Sequence, residues 1–361
     1  MFASFMTTSI SGRALSGGLV GANLVNLRDF GRGNYRQLDD YAFGSGGMLY
    51  AAPQLKDALD ASRIDGVKPF VVYPSPQGVM VSQEIIETLA RQEHVIIICG
   101  HYEGIDERFT QKYVDLEICA GDCVLTGGEI PAMMLLDAMM RLIPGVVGKS
   151  GAVVEDSFYR GMLDNPSYTR PAEWEGMNVP EVLLSGNRES VRQWRRHEAV
   201  CRTLTRRPDL IARASIREYL SGSVNVAVIA GDEGAELAGV PELCRAYELG
   251  RPHVIAHTRE LREALKASYP EAKITGSIRK LQEPGTLTVK VLAEAGINSQ
   301  HSLEVKRRCL EHEGNILFVF AQNDSDFEGT EGISGYIHEH SSTVPLNIRI
   351  GTALDRFLGK R

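Results

Sequence analysis

His94-Val95-Ile96-Ile97-Ile98-Cys99-Gly100-His101-Tyr102-Glu103-Gly104 decides the architecture. Successive β-branched residues favour an extended backbone. A strand that is apolar on both faces must be covered on both, as in a parallel sheet. The run stops at Gly100, and a second glycine follows at Gly104. Upstream, Pro69-Phe70-Val71-Val72-Tyr73 is a shorter β-rich run closed by Pro74-Ser75-Pro76-Gln77-Gly78, and Val81 to Arg91 has helical periodicity. Downstream, Glu117 to Leu125 reads as a third strand, and Pro131 to Ile143 as an apolar helix stopped by Pro144-Gly145. Alternating strands and helices predict an α/β fold with a mostly parallel sheet.

The chain has 361 residues, enough for two or three domains at roughly 150 residues each. Its composition, 43% hydrophobic and 24% charged, excludes collagen-like, largely disordered and disulfide-scaffold classes. No uncharged apolar run is long enough to span a membrane. Met1 to Leu27 carries a single charge, Arg13, but lacks the basic start and compact apolar block of a signal peptide. Six cysteines form no CxxC pair and read as reduced thiols of a cytoplasmic protein.

A formal net charge of −7 argues against a generally basic nucleic-acid coat, yet Ser185 to Arg217 holds nine arginines against Glu189, Glu198 and Asp209. Such a stripe is either a solvated helical face or the footprint of a polyanion binder. The stretch Val179 to Tyr219 is helical, basic and amphipathic, with a break at Pro208. Tyr219-Leu220-Ser221-Gly222-Ser223 reads as a linker. A second α/β pattern follows: strands at 224–229, 253–256 and 315–321, and helices at 240–248, 259–268 and 347–358.

Three glycine-bearing loops follow the three strands of the first pattern: 75–78, 100–104 and 125–129. Ligands of open α/β sheets sit at the carboxyl ends of strands, and glycine lets backbone approach them. Two readings are open: the glycines merely turn the chain, or the loops together line a nucleotide-sized pocket. Familiar alternatives fail. No GxGxxG follows a strand. Gly145-Val146-Val147-Gly148-Lys149-Ser150 lacks the first glycine of a P-loop. His101-Tyr102-Glu103 imitates a zinc-deaminase motif, but no PCxxC follows. Without a dedicated cage, a divalent ion would keep its waters, with Glu103 or Asp106 as contributors. Asp156, within Glu155-Asp156-Ser157-Phe158, reads as a turn or helix cap. Arg141 closes its helix, where a cation is favourable.

At these residues the sequence closely resembles the bacterial tRNA (guanine-N1)-methyltransferases acting at position 37, the TrmD family of the SPOUT superfamily. The likeness runs from Thr8 to about Leu220, through SPQG at 75–78, CGHYEGIDER at 99–108, GDCVLTGGEIPAM at 121–133, EDSF at 155–158, NPSYTRP at 165–171 and PEVLLSGN at 180–187. The resemblance implies a trefoil-knotted, mostly parallel sheet. It implies S-adenosylmethionine bound by Tyr73, Ser75, Pro76, Gly100, Tyr102, Glu103, Ala120, Gly121, Leu125, Gly127 and Gly128. It implies Asp156 as general base with Arg141 as its partner, a homodimer with shared sites, and Mg2+ dependence with Glu103 as a candidate contributor. The substrate implied is the tRNA anticodon stem-loop, with phosphate attraction from Arg188, Arg192, Arg195 and Arg196 and a stacking face on Trp194. The chemistry agrees: guanine N-1 carries a proton that a carboxylate must accept, and charge developing on O-6 favours a cation.

The expected organisation is a SPOUT methyltransferase domain over 1–150, an interdomain linker over 151–175, a helical tRNA-binding domain over 176–220 and a C-terminal domain over 224–361. The last resembles a second, divergent SPOUT-like domain in strand and helix order, in Ile297-Asn298-Ser299 and in its closing helix. The acidic loop Ala321-Gln322-Asn323-Asp324-Ser325-Asp326 replaces the glycine loop expected there, which predicts a degenerate domain serving dimerisation or tRNA docking. Two further departures stand out. The family opens with a strand ending in LFPEMF, whereas this sequence begins Met1-Phe2-Ala3; its glycine-rich acidic loop, 39–48, is one residue shorter than usual. Competing readings are a SPOUT enzyme with another RNA target and a non-catalytic RNA-binding protein.

Overall fold

A computed structural model describes residues 2–44, 47–147, 156–159, 161–231, 237–292, 301–321, 323–328, 330–336 and 344–359. Ser45, Gly46, the 148–155 segment with Glu155, Ile297-Asn298-Ser299 and Gln322 lie outside them. The chain forms two compact units, Met1–Glu155 and Asp156–Arg361.

The first unit runs α1 (Phe2–Thr7), α2 (Ser9–Ser16), β1 (Asp39–Tyr41), β2 (Met48–Tyr50), α3 (Ala52–Ala61), β3 (Phe70–Met80), α4 (Gln83–Ala90), β4 (Val95–Ile97), α5 (Glu107–Tyr113), β5 (Leu116–Cys119) and α6 (Glu129–Met140). Strands β4-β3-β5 form a parallel sheet. Both faces are covered, as the apolar run at 94–100 requires. Val72 and Ile118 meet Ile86 and Leu89 of α4 and Leu135 and Met139 of α6 on one face. Val71, Tyr73 and Ile98 meet Leu55 and Leu59 of α3 and Phe109 of α5 on the other. Ser82 caps α4 by accepting from the Ile85 amide, and Asp106 caps α5 by accepting from that of Arg108.

Two strand boundaries differ from expectation, each for a local reason. The third strand ends at Cys119, not Leu125, because Met80 is its last partner. The chain then turns, with the Cys123 amide donating to the Gly121 carbonyl at 2.7 Å. Strand β3 continues beyond Tyr73 to Met80, but Pro74 and Val79 both face Ile118, so residues 75–78 bulge out of the ladder. Gly78 makes this possible: a Cβ there would lie 2.3 Å from the Ile118 nitrogen.

The second unit opens with a hairpin, β6 (Glu173–Trp174) and β7 (Met177–Asn178), followed by α7 (Glu181–Leu184), α8 (Arg188–Arg206) and α9 (Pro208–Arg213). It continues through β8 (Val224–Ile229), α10 (Val240–Ala246), β9 (His253–Ile255), α11 (Arg259–Ser268), β10 (Lys273–Thr275), β11 (Leu287–Leu292), α12 (Ser302–Glu311), β12 (Ile316–Ala321), β13 (Ile333–Tyr336) and α13 (Leu346–Leu358). The sheet order is β10-β9-β8-β12-β11-β13, parallel throughout. Strand β12 is buried along its whole length. Helices α10 to α13 contribute to the core on one face; Ile278 and Phe327, from short 3-10 turns, cover the other. Val200 of α8 and Ile211 of α9, with Ala214 and Ile216, lie in the same buried cluster as Val226, Phe318 and Phe357. The arginine-bearing helices are thereby rooted in the C-terminal sheet.

Candidate active site

Two of the three glycine segments, at 100–104 and 125–129, converge in the first unit. The Gly128 amide donates to the Gly100 carbonyl at 2.9 Å. His101 and Gly127 form an isolated antiparallel bridge, and the His101 imidazole meets the Glu129 carboxylate. A Cβ at Gly128 would stand 2.8 Å from the Cys99 Cα, and one at Gly100 would touch the Tyr73 ring at 3.0 Å. The glycines therefore do more than turn the chain: they let the loops after β4 and β5 lie backbone to backbone. Tyr102 and Gly104 have φ of 59° and 118°, which throws the Tyr102 side chain outward. The Glu103 amide donates to the Met48 carbonyl, and the Glu103 side chain occupies the space a Cβ on Gly47 would need. This packing ties the shortened acidic loop to the second glycine loop.

The wall behind these loops is apolar and titrates late. Burial pushes the Cys99 thiol up to about 12, reinforced by the Glu129 charge. Burial likewise raises the Tyr73 hydroxyl, with a smaller contribution from Glu117. Hydrogen bonding from Arg108 holds the Asp106 carboxyl below its ordinary range. Asp106 grips the guanidinium through both oxygens, at 3.0 and 2.6 Å, so it serves the α5 cap and this ion pair.

The site residues expected from sequence fall into two groups. Tyr73, Gly100 and Gly128 are buried, Ser75, Ala120, Gly121 and Gly127 are half-buried, and Pro76, Tyr102, Glu103 and Leu125 are exposed. Tyr73, Ser75 and Pro76 lie within β3 and its bulge, and the others in the loops that follow β4 and β5. Arg141 closes α6 in the first unit, whereas Asp156 opens the second. Asp156 starts a tight turn in which the Phe158 amide donates to the Met162 carbonyl at 2.7 Å and the Asp164 amide to Ser157 Oγ at 2.8 Å. Sequence reasoning passes over the His101–Glu129 pair. Both residues sit inside the quoted motifs, but a separation of 28 residues gives no periodic signal linking them.

The basic stripe maps onto α8. Asn187 caps this helix by accepting from the Glu189 and Ser190 amides. Its first turns expose Arg188, Arg192, Arg195 and Arg196, while its last turns bury Ala199, Val200 and Thr203. Arg192 pairs with Glu189 at 3.1 Å; among the described residues Arg188, Arg195 and Arg196 form no ion pair. Trp194 is half-buried, its ring 6.2 Å from that of Tyr168. No group of three or more metal-ligating side chains occurs among the described residues, nor any helix long and apolar enough to cross a membrane.

Comparisons with known proteins identify the family. The family model described as tRNA (Guanine-1)-methyltransferase TrmD matches residues 1–213. A tRNA (guanine-N(1)-)-methyltransferase of Moorella thermoacetica is 50% identical over 219 residues, covering 60% of this chain and 88% of that protein. Its counterpart from Ruminiclostridium cellulolyticum is 47% identical over 61% of this chain and 95% of its own length. That of Shewanella loihica is 46% identical over 60% and 89% respectively. The chain therefore belongs to the TrmD family of tRNA (guanine-1)-methyltransferases.

Proposed function

We propose that this enzyme methylates N-1 of guanosine 37, beside the tRNA anticodon, with S-adenosylmethionine as donor. The observation carrying this reading is the backbone contact of the two loops at Gly100 and Gly128, beside the bulge at 75–78. Adjacent backbone groups at the ends of parallel strands suit a nucleoside-bearing ligand, and the loops belong to the knot expected of the family. When bound, the donor supplies an electrophilic methyl group on a sulfonium. The protein then has to orient the guanine and take its proton.

Asp156 is the general base for N-1, and Arg141 balances the charge that develops on O-6. The target base leaves its stack to be read from a single-stranded loop. Arg188, Arg195 and Arg196 hold neighbouring phosphates, with Trp194 offering an aromatic face. Val79, Met80, Val124, Leu125, Ile130 and Met134 are exposed at the end of β3, in the loop after β5 and on α6. Apolar exposure of this kind favours association, and we assign it to a homodimer in which each site draws on both protomers. Among the described residues, Glu103 has no cluster of acidic neighbours with which to cage magnesium. Such an ion would keep most of its water shell, and no step is routed through it.

The domain plan follows: methyltransferase domain first, then the arginine helices, then a C-terminal domain that docks rather than catalyses. Methyl transfer to transcripts carrying guanosine at 36 and 37, mapped by mass and primer extension, tests the reading. We expect modification at 37 alone, and loss of turnover by about 10³-fold in Asp156→Asn with donor affinity unchanged. Modification elsewhere would assign a different RNA site; tRNA binding without transfer would leave only an RNA-binding protein.

A further inference from the structure

The second unit buries an ammonium group that the reaction does not use. Lys306 of α12 is 1% exposed. Its Nζ donates to the carbonyls of Ile211 at 3.2 Å, Ala212 at 3.2 Å and Ala214 at 2.7 Å. Those carbonyls end α9, where the final turn of a helix leaves acceptors without intrahelical donors and carries partial negative charge. An ammonium has three protons to donate, so each has its own acceptor. Among the described residues no carboxylate joins the cluster. The charge is compensated by this one arrangement of backbone oxygens, and any displacement of the α9 end would strand it in a dry interior.

From that anchor a continuous set of contacts leads to the residues of the proposed reaction. Arg207, between α8 and α9, is gripped by Asp209 at 2.8 and 2.7 Å, and its guanidinium stands 5.9 Å from the Phe158 ring. Thr203 of α8 is wholly buried and accepts from the Leu163 amide at 3.0 Å. Met162 sits in the same core as Ile211 and Ala214, and its carbonyl receives the Phe158 amide. The turn bearing Asp156 and the helix bearing Arg188 to Arg196 thus share one mount.

We infer that Lys306 is a positioning residue, whose buried contact with the α9 carbonyls holds the Asp156 turn and the arginine helix in the register that tRNA engagement requires. The inference rests on the function proposed above. It makes the C-terminal sheet the base plate of the RNA-facing elements.

The test uses the full chain carrying Lys306→Met, which keeps the volume and removes the donors. Lys306→Gln, a milder change, serves if the first variant does not fold. Three readouts are taken: kcat and KM for tRNA, donor affinity by calorimetry, and backbone hydrogen exchange. We expect kcat/KM for tRNA to fall about tenfold or more with donor affinity unchanged. Exchange should quicken over 156–164 and 207–217, and stay as in the unaltered chain over 47–147. A kcat/KM within about twofold of the unaltered chain, or quickened exchange spread uniformly over both units, overturns the inference. If the unaltered chain methylates no tRNA, the function proposed above fails; the exchange pattern then still decides whether Lys306 holds the mount.

Discussion

The two parallel sheets of this chain end differently at their carboxyl edges. In the first, glycines let the loops after β4 and β5 touch through their backbones, at Gly100 and Gly128. In the second, among the described residues, the domain's own groups fill the corresponding place at the end of β12. Asn323 donates its amide to the Asp326 carboxylate at 3.1 Å. Arg349 of α13 donates to the Ala321 carbonyl at the end of β12, at 3.0 Å. A ligand cradle needs backbone groups left available to the ligand; a strand end whose carbonyl is already capped, as that of β12 is, offers one fewer. The difference accords with the division of roles proposed above, a site in the first unit and a support in the second.

One pair of substitutions can break this comparison most sharply. Gly128 has φ of −79°, a conformation open to any residue, so Gly128→Ala fails only through its Cβ. That atom would sit 2.8 Å from Cys99 Cα and 3.0 Å from the Gly100 nitrogen. Both are backbone, and one loop must yield. We expect Gly128→Ala to weaken donor binding by about tenfold or more and to cost about 2 kcal/mol of stability. At Gly231, after β8, an added Cβ would meet, among the described residues, the Asp326 carboxylate at 3.6 Å. Gly231→Ala should leave both quantities unchanged within about 0.5 kcal/mol. Calorimetric titration and denaturant unfolding of the two variants side by side decide it; equal effects would erase the distinction.

Lys306 sharpens the comparison through pH. Burial, and secondarily the Arg356 charge, lower its ammonium from an ordinary 10.5 to about 8. Below pH 8 both folded and unfolded chains carry the proton, and the whole cost of burying the charge is present. Between 8 and 10.5 the unfolded chain binds more proton, so stability rises with pH. Relative to the Lys306→Met variant, the unaltered chain should gain up to about 3 kcal/mol across that interval. Unfolding of both proteins at several pH values measures the difference, from which tyrosine and cysteine titrations cancel. A flat difference would show that the ammonium is not desolvated as its surroundings indicate.

Much of the first unit is legible in sequence because its signals are local. A run of β-branched residues between turn residues leaves few choices, and 94–100 holds a strand covered on both faces. Arg259–Ser268 is legible to the residue, and in the structure Thr258 caps it by accepting from the Leu261 amide. The bulge at 75–78 is not: it depends on Pro74 and Val79 sharing one partner, Ile118, across the ladder. In the second unit β10, β11, α12 and β13 escape a reading of the sequence. Lys273 and Lys306 interrupt apolar patterning, and nothing near Lys306 in sequence announces the carbonyls that receive it, more than 90 residues away. At the candidate site the motif words locate the loops, while the His101–Glu129 pairing requires the fold.

The smallest expected effect concerns the arginines of α8, which bear on how the second unit supports RNA. Their contributions are not equal. Arg192 is already engaged by Glu189 at 3.1 Å, so part of its charge is compensated within the helix. Arg195 and Arg196 are exposed with no ion pair among the described residues and offer their full charge to solvent. Each phosphate contact they make would release a counterion on binding. Arg195→Ala should therefore weaken tRNA binding a few-fold and reduce the slope of log K against log salt by about 0.7 to 0.9, with donor affinity unmoved. Arg192→Ala should change the slope by less. The Glu189 carboxylate it leaves behind sits in the first turn of α8, where the helix dipole offsets a negative charge and softens its repulsion of phosphate. Binding isotherms at several salt concentrations distinguish the two. Equal slopes for both variants would mean that the intrahelical pair opens freely when RNA arrives.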